Sequence, residues 1–512
     1  MACACLTLVA GALILLIIYL TRKYTHWNRH GIPTAKGAIP LFGHLLPLVT
    51  NESNYTFLSQ QAYDKFKNRS MVGYYILTSP ALLIRDPSLV KSVLQSNFSS
   101  FHRNGWEIVP SVDPLLAKNP FFCYGDAWAS GRKRLTYAFS STRLKTIFAA
   151  VSGVCKKFEA FLDRRLKSSD KYEVELKYLF SKFTGEVVAN AGLGIEGFCF
   201  HDEPHPMAFD KIGDGLFKPS AIDAMLQSVA FFLPKLNNIL RIKFVPRHMD
   251  KLFRKLVAEN LALRRNETTP RNDFLQLMIE LEQTEDGKVD KEAVTAHALS
   301  LYFDGFETSS VTLSFIGYHL ATHEDVQDRL RGEVQSTIAK HGGQLTFEAL
   351  KEMKYMDQVI NESQRRISSL GVMRKKCTEE VQLEGSDGLS YRVKPGTRIL
   401  IPIQSLHADP EYWPDPQVFD PDRFSEERKH NIKKMTFIPF GEGPRMCVGM
   451  RMALLQIKSC LASLLNNYKL ELSAKTQLPL QMLPVLFHRI LSINTSGLST
   501  RRTEMNIMLK NS

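Results

Sequence analysis

The chain has 512 residues, 44% hydrophobic and 23% charged, with 65 Lys and Arg against 52 Asp and Glu for a formal charge of +13. This is a globular composition, which argues against a disordered, collagen-like or polytopic membrane chain. Eight cysteines without a CxxC pair argue against a disulfide scaffold, a zinc ribbon or a thioredoxin-like motif, and make a reducing compartment the expectation. The basic excess is spread along the chain rather than gathered in an arm, so no nucleic-acid partner is expected, while an anionic membrane surface or an acidic protein is.

Residues 2–20 carry no charge and include the apolar run from Ala12 to Leu20, with Arg22 and Lys23 directly behind. At about 1.5 Å per residue such a helix nearly spans a hydrocarbon layer of about 30 Å. A cleaved signal peptide would carry a basic n-region, which is missing. Residues 1–24 are therefore expected to be an uncleaved membrane anchor. Arg22, Lys23, Arg29 and Lys36 on its downstream side place the remainder of the chain in the cytosol. Residues 25–45, with Gly31-Ile-Pro33 and Ile39-Pro40-Leu-Phe-Gly43, cannot continue a helix and read as a stiff hinge. From 46 to 512 there is no second linker or repeat, so one catalytic domain is expected.

Helical spacing dominates that domain: Ile147, Val151, Val154, Phe158 and Phe161 form one stripe, and Met450, Ala453, Leu454, Ile457, Leu461, Leu464 and Leu465 another. Strand-like pieces are short, such as Val72 to Ile76 and Arg398 to Ile403. The predicted fold class is mostly α with small β-sheets (α+β). Gly192-Leu-Gly194-Ile-Glu-Gly197 matches GxGxxG but follows a helical segment, so it reads as a helix stop and turn rather than a dinucleotide site. Phe101, Trp106, Phe121, Phe122, Phe217, Phe231 and Phe232 each read as core, yet together they suggest a lipophilic substrate. Pro234 to Pro246, with Leu236, Ile239, Leu240, Ile242, Phe244 and Val245, is expected to dip into the bilayer.

From Ala293 to Leu320 the formal charges are Asp304 and Glu307, within Phe303-Asp-Gly-Phe-Glu-Thr-Ser-Ser310. Two carboxylates at the middle of an otherwise uncharged helix imply a buried helix with a wet spot, not a bilayer span. Gly305 and Thr308 are expected to let its backbone ladder widen. Further on, Phe440-Gly-Glu-Gly-Pro-Arg-Met-Cys-Val-Gly449 precedes an amphipathic helix. Its logic is that of a thiolate ligand, Cys447, held at a helix N-terminus. Gly441, Gly443 and Gly449 admit close approach of a flat cofactor, Pro444 stiffens the loop, Phe440 shields the sulfur and Arg445 meets a carboxylate. Cys460, along the same helix, reads as a core residue. With ordinary residue frequencies, FxxGxRxCxG arises by chance about once in ten thousand chains of this length.

In these residues the chain resembles the cytochrome P450 family, the haem-thiolate monooxygenases, and most of all its animal, insect-like detoxification branch. Glu362-Ser-Gln-Arg365 matches ExxR, and Phe419-Asp-Pro421-Asp-Arg423-Phe424 matches the segment whose arginine joins that pair. The resemblance implies the P450 fold, with Glu362, Arg365 and Arg423 as a buried charge network. It implies heme b with Cys447 as the metal ligand, Trp128 and Arg132 (WxxxR) as a propionate clamp, and Arg374 as a further propionate-binding position. The oxygen-binding motif maps onto Gly305, Glu307 and Thr308, where a hydroxyl and a carboxylate-linked water chain supply protons. Asp304 lies one turn before Thr308 on the same face. It reads first as a buried acid, then as a grip on a cationic or hydroxylated substrate, and last as an acid esterified to a haem methyl.

Ser368-Ser369, Gln364 and Asp422 depart from the family pattern and bear on loop stiffness more than on chemistry. The expected activity is NADPH-dependent insertion of one oxygen atom into a lipophilic molecule at the endoplasmic reticulum membrane. The expected partners are the NADPH-cytochrome reductase flavoprotein, docked on Lys133, Arg134, Lys433, Lys434 and Arg451, and cytochrome b5. The alternatives are a haem-thiolate isomerase or dehydratase that needs no reductase, and a non-catalytic haem-binding protein.

Overall fold

The computed structural model describes residues 2–512 except 51, 168, 204, 214–216, 218–219, 269–270, 284–287, 477–479, 481–504 and 512. The N-terminal helix Ala2–Tyr24 ends on Arg22 and Lys23. Its stretch Cys5–Tyr24 is long and apolar enough to cross a membrane, and the rest of the chain buries none of it, although Tyr24 at its end donates its hydroxyl to the Leu77 carbonyl at 2.9 Å. The segment that follows is seated on the body instead of hanging between anchor and domain. Trp27 is fully buried and donates its indole N–H to the Tyr74 carbonyl at 3.0 Å. Thr34 bridges to Gly73 and Gly43 to Ile76. Room for the indole comes from Gly73, where a Cβ would lie 2.4 Å from Trp27 Cγ.

That sheet has five strands in the order β1-β2-β8-β5-β3, where β1 is Met71–Ile76, β2 Ser79–Ile84, β3 Arg103–Asn104, β5 Met373–Lys376 and β8 Arg398–Ile401. A second sheet joins β4 (Tyr172–Glu175), β10 (Asn506–Asn511) and β9 (Tyr468–Leu472), and β6 (Val381–Glu384) pairs with β7 (Ser390–Val393). The strand expected to reach Ile403 stops at Ile401, because Pro402 has no N–H for the ladder and Ile403 opens a short helix. Gly194 caps a helical turn in the left-handed conformation, φ 67°, as its reading as a helix stop requires.

The first predicted stripe is buried throughout, in Ser141–Leu166; in Met450–Asn467 Ile457, Leu461, Leu464 and Leu465 are buried while Met450, Ala453 and Leu454 are half-buried, and Cys460 is part of the core. Between the layers runs the longest helix, Lys291–Thr322, whose N-terminus is capped by the Asp290 carboxylate accepting from Ala293 N. Its N-terminal half packs Leu299, Tyr302, Phe303 and Phe306 into a core shared with the five-stranded sheet. The other half packs Leu313, Phe315, Ile316 and Leu320 into the all-helical core. The middle of this helix thus falls where the two cores meet.

The helix Lys354–Arg366 carries the predicted charge network. Arg365 Nε and Nη2 donate to the two Glu362 oxygens at 2.7 and 2.8 Å, with neither side chain exposed. Arg423 Nε lies 3.7 Å from Glu362 Oε1, an ion pair without a hydrogen bond, and its Nη2 donates to the Asp415 carbonyl. Arg365 also donates to the carbonyls of His407 and Pro416, so one buried cation holds the chain on both sides of Trp413. Removing one partner of a buried pair strands the other charge, which costs about 3–5 kcal/mol. Arg365→Ala is expected to lose that much in denaturant unfolding. Arg365→Lys should recover less than half, because an ammonium cannot reproduce the two-pronged contact.

Candidate active site

The loop before the helix Met450–Asn467 closes on itself through Cys447 N–H donating to the Phe440 carbonyl at 2.8 Å. The thiol lies over the helix start, where the backbone N–H groups of Gly449 and Met450 favour its anion. Burial outweighs them and pushes the thiol up to about 11. By itself the sulfur stays protonated at neutral pH, and a bound cation is what would make it a thiolate. The glycines of the loop divide their work. Gly443 has φ 73°, and a Cβ there would sit 2.0 Å from the Leu94 carbonyl oxygen, so its close approach is to the chain itself rather than to a cofactor. A Cβ on Gly449 would meet nothing within 4 Å, which leaves open space in front of the sulfur.

Cys447 is solvent-accessible yet enclosed by protein, and so are Asp304 and Thr308 at the middle of an otherwise buried helix. The Asp304 charge is felt at the Cys447 sulfur. These three side chains therefore face one internal cavity, Cys447 on one wall and Asp304 and Thr308 on another. Thr308 Oγ1 donates to the Asp304 carbonyl one turn earlier, and Asn119 Nδ2 donates to Asp304 Oδ2 at 3.0 Å. Burial pushes the Asp304 carboxyl up to about 7 against the pull of that amide.

Two expectations for this helix need correction. Glu307 turns away from the cavity: it is buried and accepts from Lys177 Nζ at 2.9 Å, because one residue, about 100° of helix, separates it from Thr308 and carries it toward the helix Leu176–Val187. Nor does the backbone ladder widen at Gly305. The helix stays regular, the Gly305 carbonyl accepting additionally from Gln456 Nε2 at 3.2 Å, so side chains satisfy its polar groups without opening it. At Ser368-Ser369, where the chain departs from the family pattern, Ser369 Oγ and Thr312 Oγ1 are hydrogen-bonded at 2.6 Å, and Thr312 donates to the Thr308 carbonyl.

The rim of the cavity is cationic. Arg445 lies 4.3 Å from the Trp128 ring centroid and donates to the carbonyls of Pro120 and Cys123, not to a carboxylate, while Arg132 donates to the Met446 carbonyl. Arg374 does not face this rim. On β5 the side chains alternate, Met373 reaches the Gly441 loop, and Lys375 shares that face, so Arg374 points the opposite way, against Trp106. Lys375 is the cation that the sequence analysis missed. It is buried, donates to Asn104 Oδ1 at 2.9 Å, and is held down to about 7 by burial and by the neighbouring Arg445 charge. Strand periodicity was the signal available, since only one of two adjacent cations can face a given side. His407 was missed too: its Nε2 accepts from Ile438 N–H at 2.9 Å, tying the cysteine loop to the Arg365 network, and burial keeps it neutral, down to about 3.

These residues fit haem. Among the described residues no group of three His, Cys, Asp or Glu could hold a bare metal ion, so a metal at Cys447 must bring its other ligands with it, as a macrocycle does. Lys375, Arg445 and Arg132 are paired with neutral acceptors only, and two propionates supply the missing negative charge. On the far side Phe122, Phe217 and Phe244 gather round Phe303, with ring centroids 5.6 to 6.5 Å apart. A thiol at a helix start, a cationic rim and an apolar vault over a hydroxyl-bearing helix suit a haem-thiolate oxygenase.

The comparisons agree. Residues 33–493 match the family described as Cytochrome P450. The chain is 33% identical to cytochrome P450 9e2 of Blattella germanica over 503 residues, covering 92% of this chain and 93% of that one. It is 32% identical to cytochrome P450 6a2 of Drosophila melanogaster, covering 92% and 94%, and 33% identical to probable cytochrome P450 6a13 of the same fly, covering 93% and 94%. The chain belongs to the cytochrome P450 family, and it is a monooxygenase similar to insect members.

Three measurements follow from this geometry. In Cys447→His the reduced carbonyl complex should lose its red-shifted Soret band. Lys375→Ala should lower the haem retained per protein after gel filtration, whereas a removal of Arg374 should not. Asp304 binds its proton more tightly folded than unfolded, so its contribution to stability is complete below pH 3.8 and lost as pH rises through about 7. Against Asp304→Asn, wild type should therefore lose unfolding free energy across that window, by up to about 1.4 kcal/mol per pH unit and less where the open cavity screens the charge.

Proposed function

We propose that the chain is an NADPH-dependent monooxygenase of lipophilic small molecules, anchored in the endoplasmic reticulum membrane with its catalytic domain in the cytosol. The observation that carries this reading is the shared cavity of Cys447, Asp304 and Thr308. When bound, haem supplies the activation of dioxygen, one atom of which enters the substrate while the other leaves as water. Cys447 Sγ would hold the iron, and Lys375, Arg132 and Arg445 would meet the propionates. Thr308 Oγ1, anchored on the Asp304 carbonyl, holds a hydroxyl at the cavity wall, where it passes protons inward. Asp304, titrating close to neutrality, exchanges protons with that hydroxyl's surroundings. The aromatic vault keeps bulk water out and receives an apolar substrate.

Two surfaces support the membrane and partner assignments. In the helix Pro234–Leu240, Leu236, Ile239 and Leu240 are exposed, Ile239 by 77%, which suits a second contact with lipid. Phe244 and Val245 turn into the core and take no part. Lys133, Lys433, Lys434 and Arg451 are exposed and suit an acidic flavoprotein, whereas Arg134 is engaged by Glu282 at 2.6 Å. Cytochrome b5 would meet the same basic face.

Thr308→Ala is expected to go on consuming NADPH with reductase and substrate while diverting it to peroxide. Unchanged coupling would remove Thr308 from proton delivery, and turnover without NADPH or reductase would favour a peroxide isomerase instead. Reductase-driven rates should fall as ionic strength rises, because salt screens encounter between complementary charges. Charge reversal at Lys133 should raise the apparent reductase requirement.

A further inference from the structure

Arg374 is a buried cation that neither the fold nor the haem site uses. Only 1% of the residue is exposed, and Nε, Nη1 and Nη2 all lack a hydrogen-bond partner. Its guanidinium carbon lies 3.8 Å from the Trp106 ring centroid, 5.2 Å from Phe232 and 5.8 Å from Tyr55. The Tyr55 hydroxyl is likewise buried and unpaired. A second cation, Arg398, acts on the same guanidinium. The acid that does so is Glu107, and Lys376 and Arg103 already hold it, Arg103 at 3.5 Å. The surroundings thus offer five N–H donors, a phenol and an excess of positive charge, with none of the guanidinium nitrogens hydrogen-bonded and the nearby acid held by other cations. A planar group with two anionic oxygens meets such a fork best.

What lies beside this guanidinium leads back to the cavity. Trp106 packs on Phe231 at 5.7 Å, Phe231 on Phe122 at 6.1 Å, and Phe122 on Phe303 at 6.5 Å, the residue before Asp304. An unbroken aromatic wall therefore runs from the Arg374 guanidinium to the helix that bears Thr308. We infer that Arg374, assisted by Tyr55, anchors the carboxylate of an amphipathic acid whose apolar body lies along this wall. The carboxylate meets the edge of the guanidinium, where the unpartnered N–H groups point, while the Trp106 ring keeps its face, so a two-pronged ion pair is added to the cation–π contact. This assignment rests on the proposed function and narrows its substrates to lipophilic acids.

The test uses the full-length haem-loaded enzyme and spectral titration with dodecanoic acid and its methyl ester, which differ in charge at one end. Wild type should bind the acid about tenfold or more tightly than the ester, as a charge-assisted contact provides. Arg374→Gln should weaken the acid by about tenfold while moving the ester less than about twofold, and Tyr55→Phe should weaken the acid by a smaller factor. Arg374→Lys, which keeps the charge, should fall between, and serves as the test if Arg374→Gln does not fold. Equal affinity of acid and ester in wild type, no spectral response to the acid, or parallel losses of both ligands in Arg374→Gln would overturn the assignment and leave Arg374 a packing residue. A drop in haem content in Arg374→Gln would overturn it as well, in favour of a propionate contact. Failure of the function reading looks different: reductase and NADPH would then oxidise neither ligand, whereas oxidation of the ester without any acid preference would sink this inference alone.

Discussion

A polar cavity has to be kept open between two helices that are themselves core elements, and most of the molecule answers to that constraint. The helices Lys291–Thr322 and Met450–Asn467 are both buried along much of their length. Where they close on each other, Gln456 of the second donates to the Gly305 carbonyl of the first. That contact pins the two walls without closing the space beside it. Asp304 and Thr308 on one side and Cys447 on the other are left facing an interior that protein side chains do not fill. Close packing elsewhere makes this possible, since a core at crystal-like density holds its walls apart as firmly as it holds its contents together.

Electrostatics accounts for what the cavity accepts. Taking charges from water is expensive, and proteins normally pair them. Here Glu362 and Arg365, Lys177 and Glu307, and Arg264 and Asp273 are paired in that way. Lys375, Arg445 and Arg374 are not: the first two meet neutral carbonyl oxygens, and the third meets aromatic rings. Lys375 and Arg445 stand at the cavity rim and Arg374 on the opposite face of the same strand, so the uncompensated positive charge is a binding feature, not a stabilising one. The Arg365 network does the opposite work, since its charges are satisfied internally and bind the loop around Trp413 to the helix behind the cysteine.

The first forty-five residues show how the apolar N-terminal helix is joined to the body. Trp27, buried on Gly73, fixes the exit of the apolar helix onto the edge of the sheet that also carries Arg374 and Lys375. An indole stacked against a strand is a stiffer coupling than a Pro- and Gly-rich spacer alone. The orientation of anchor and catalytic body is thus set by the same sheet that lines the cofactor side.

Composition and helical periodicity were enough to read the fold class and the apolar N-terminal helix, one ten-residue loop the thiol set before a helix start, and the family resemblance the Glu362–Arg365 pair, because each depends on neighbours within a few residues: a turn of helix, an apolar run, a thiol just before a helix start. The placement of Glu307 outside the cavity, the exchange of Arg374 for Lys375 at its rim, and the roles of Asn119, His407 and Gln456 were not legible in that way. Each depends on which face of an element meets a partner more than a hundred residues distant, or, for His407, on a short helix and a loop that meet only in the fold. A helix turns by about 100° per residue and a strand reverses at every residue, so a shift of a single position carries a side chain from the cavity to the core. Only the packing of the two cores against each other selects that position. The sequence by itself determined which chemistry this chain carries; the tertiary structure decided which side chains face it, because facing is a property of contacts that the local sequence does not contain.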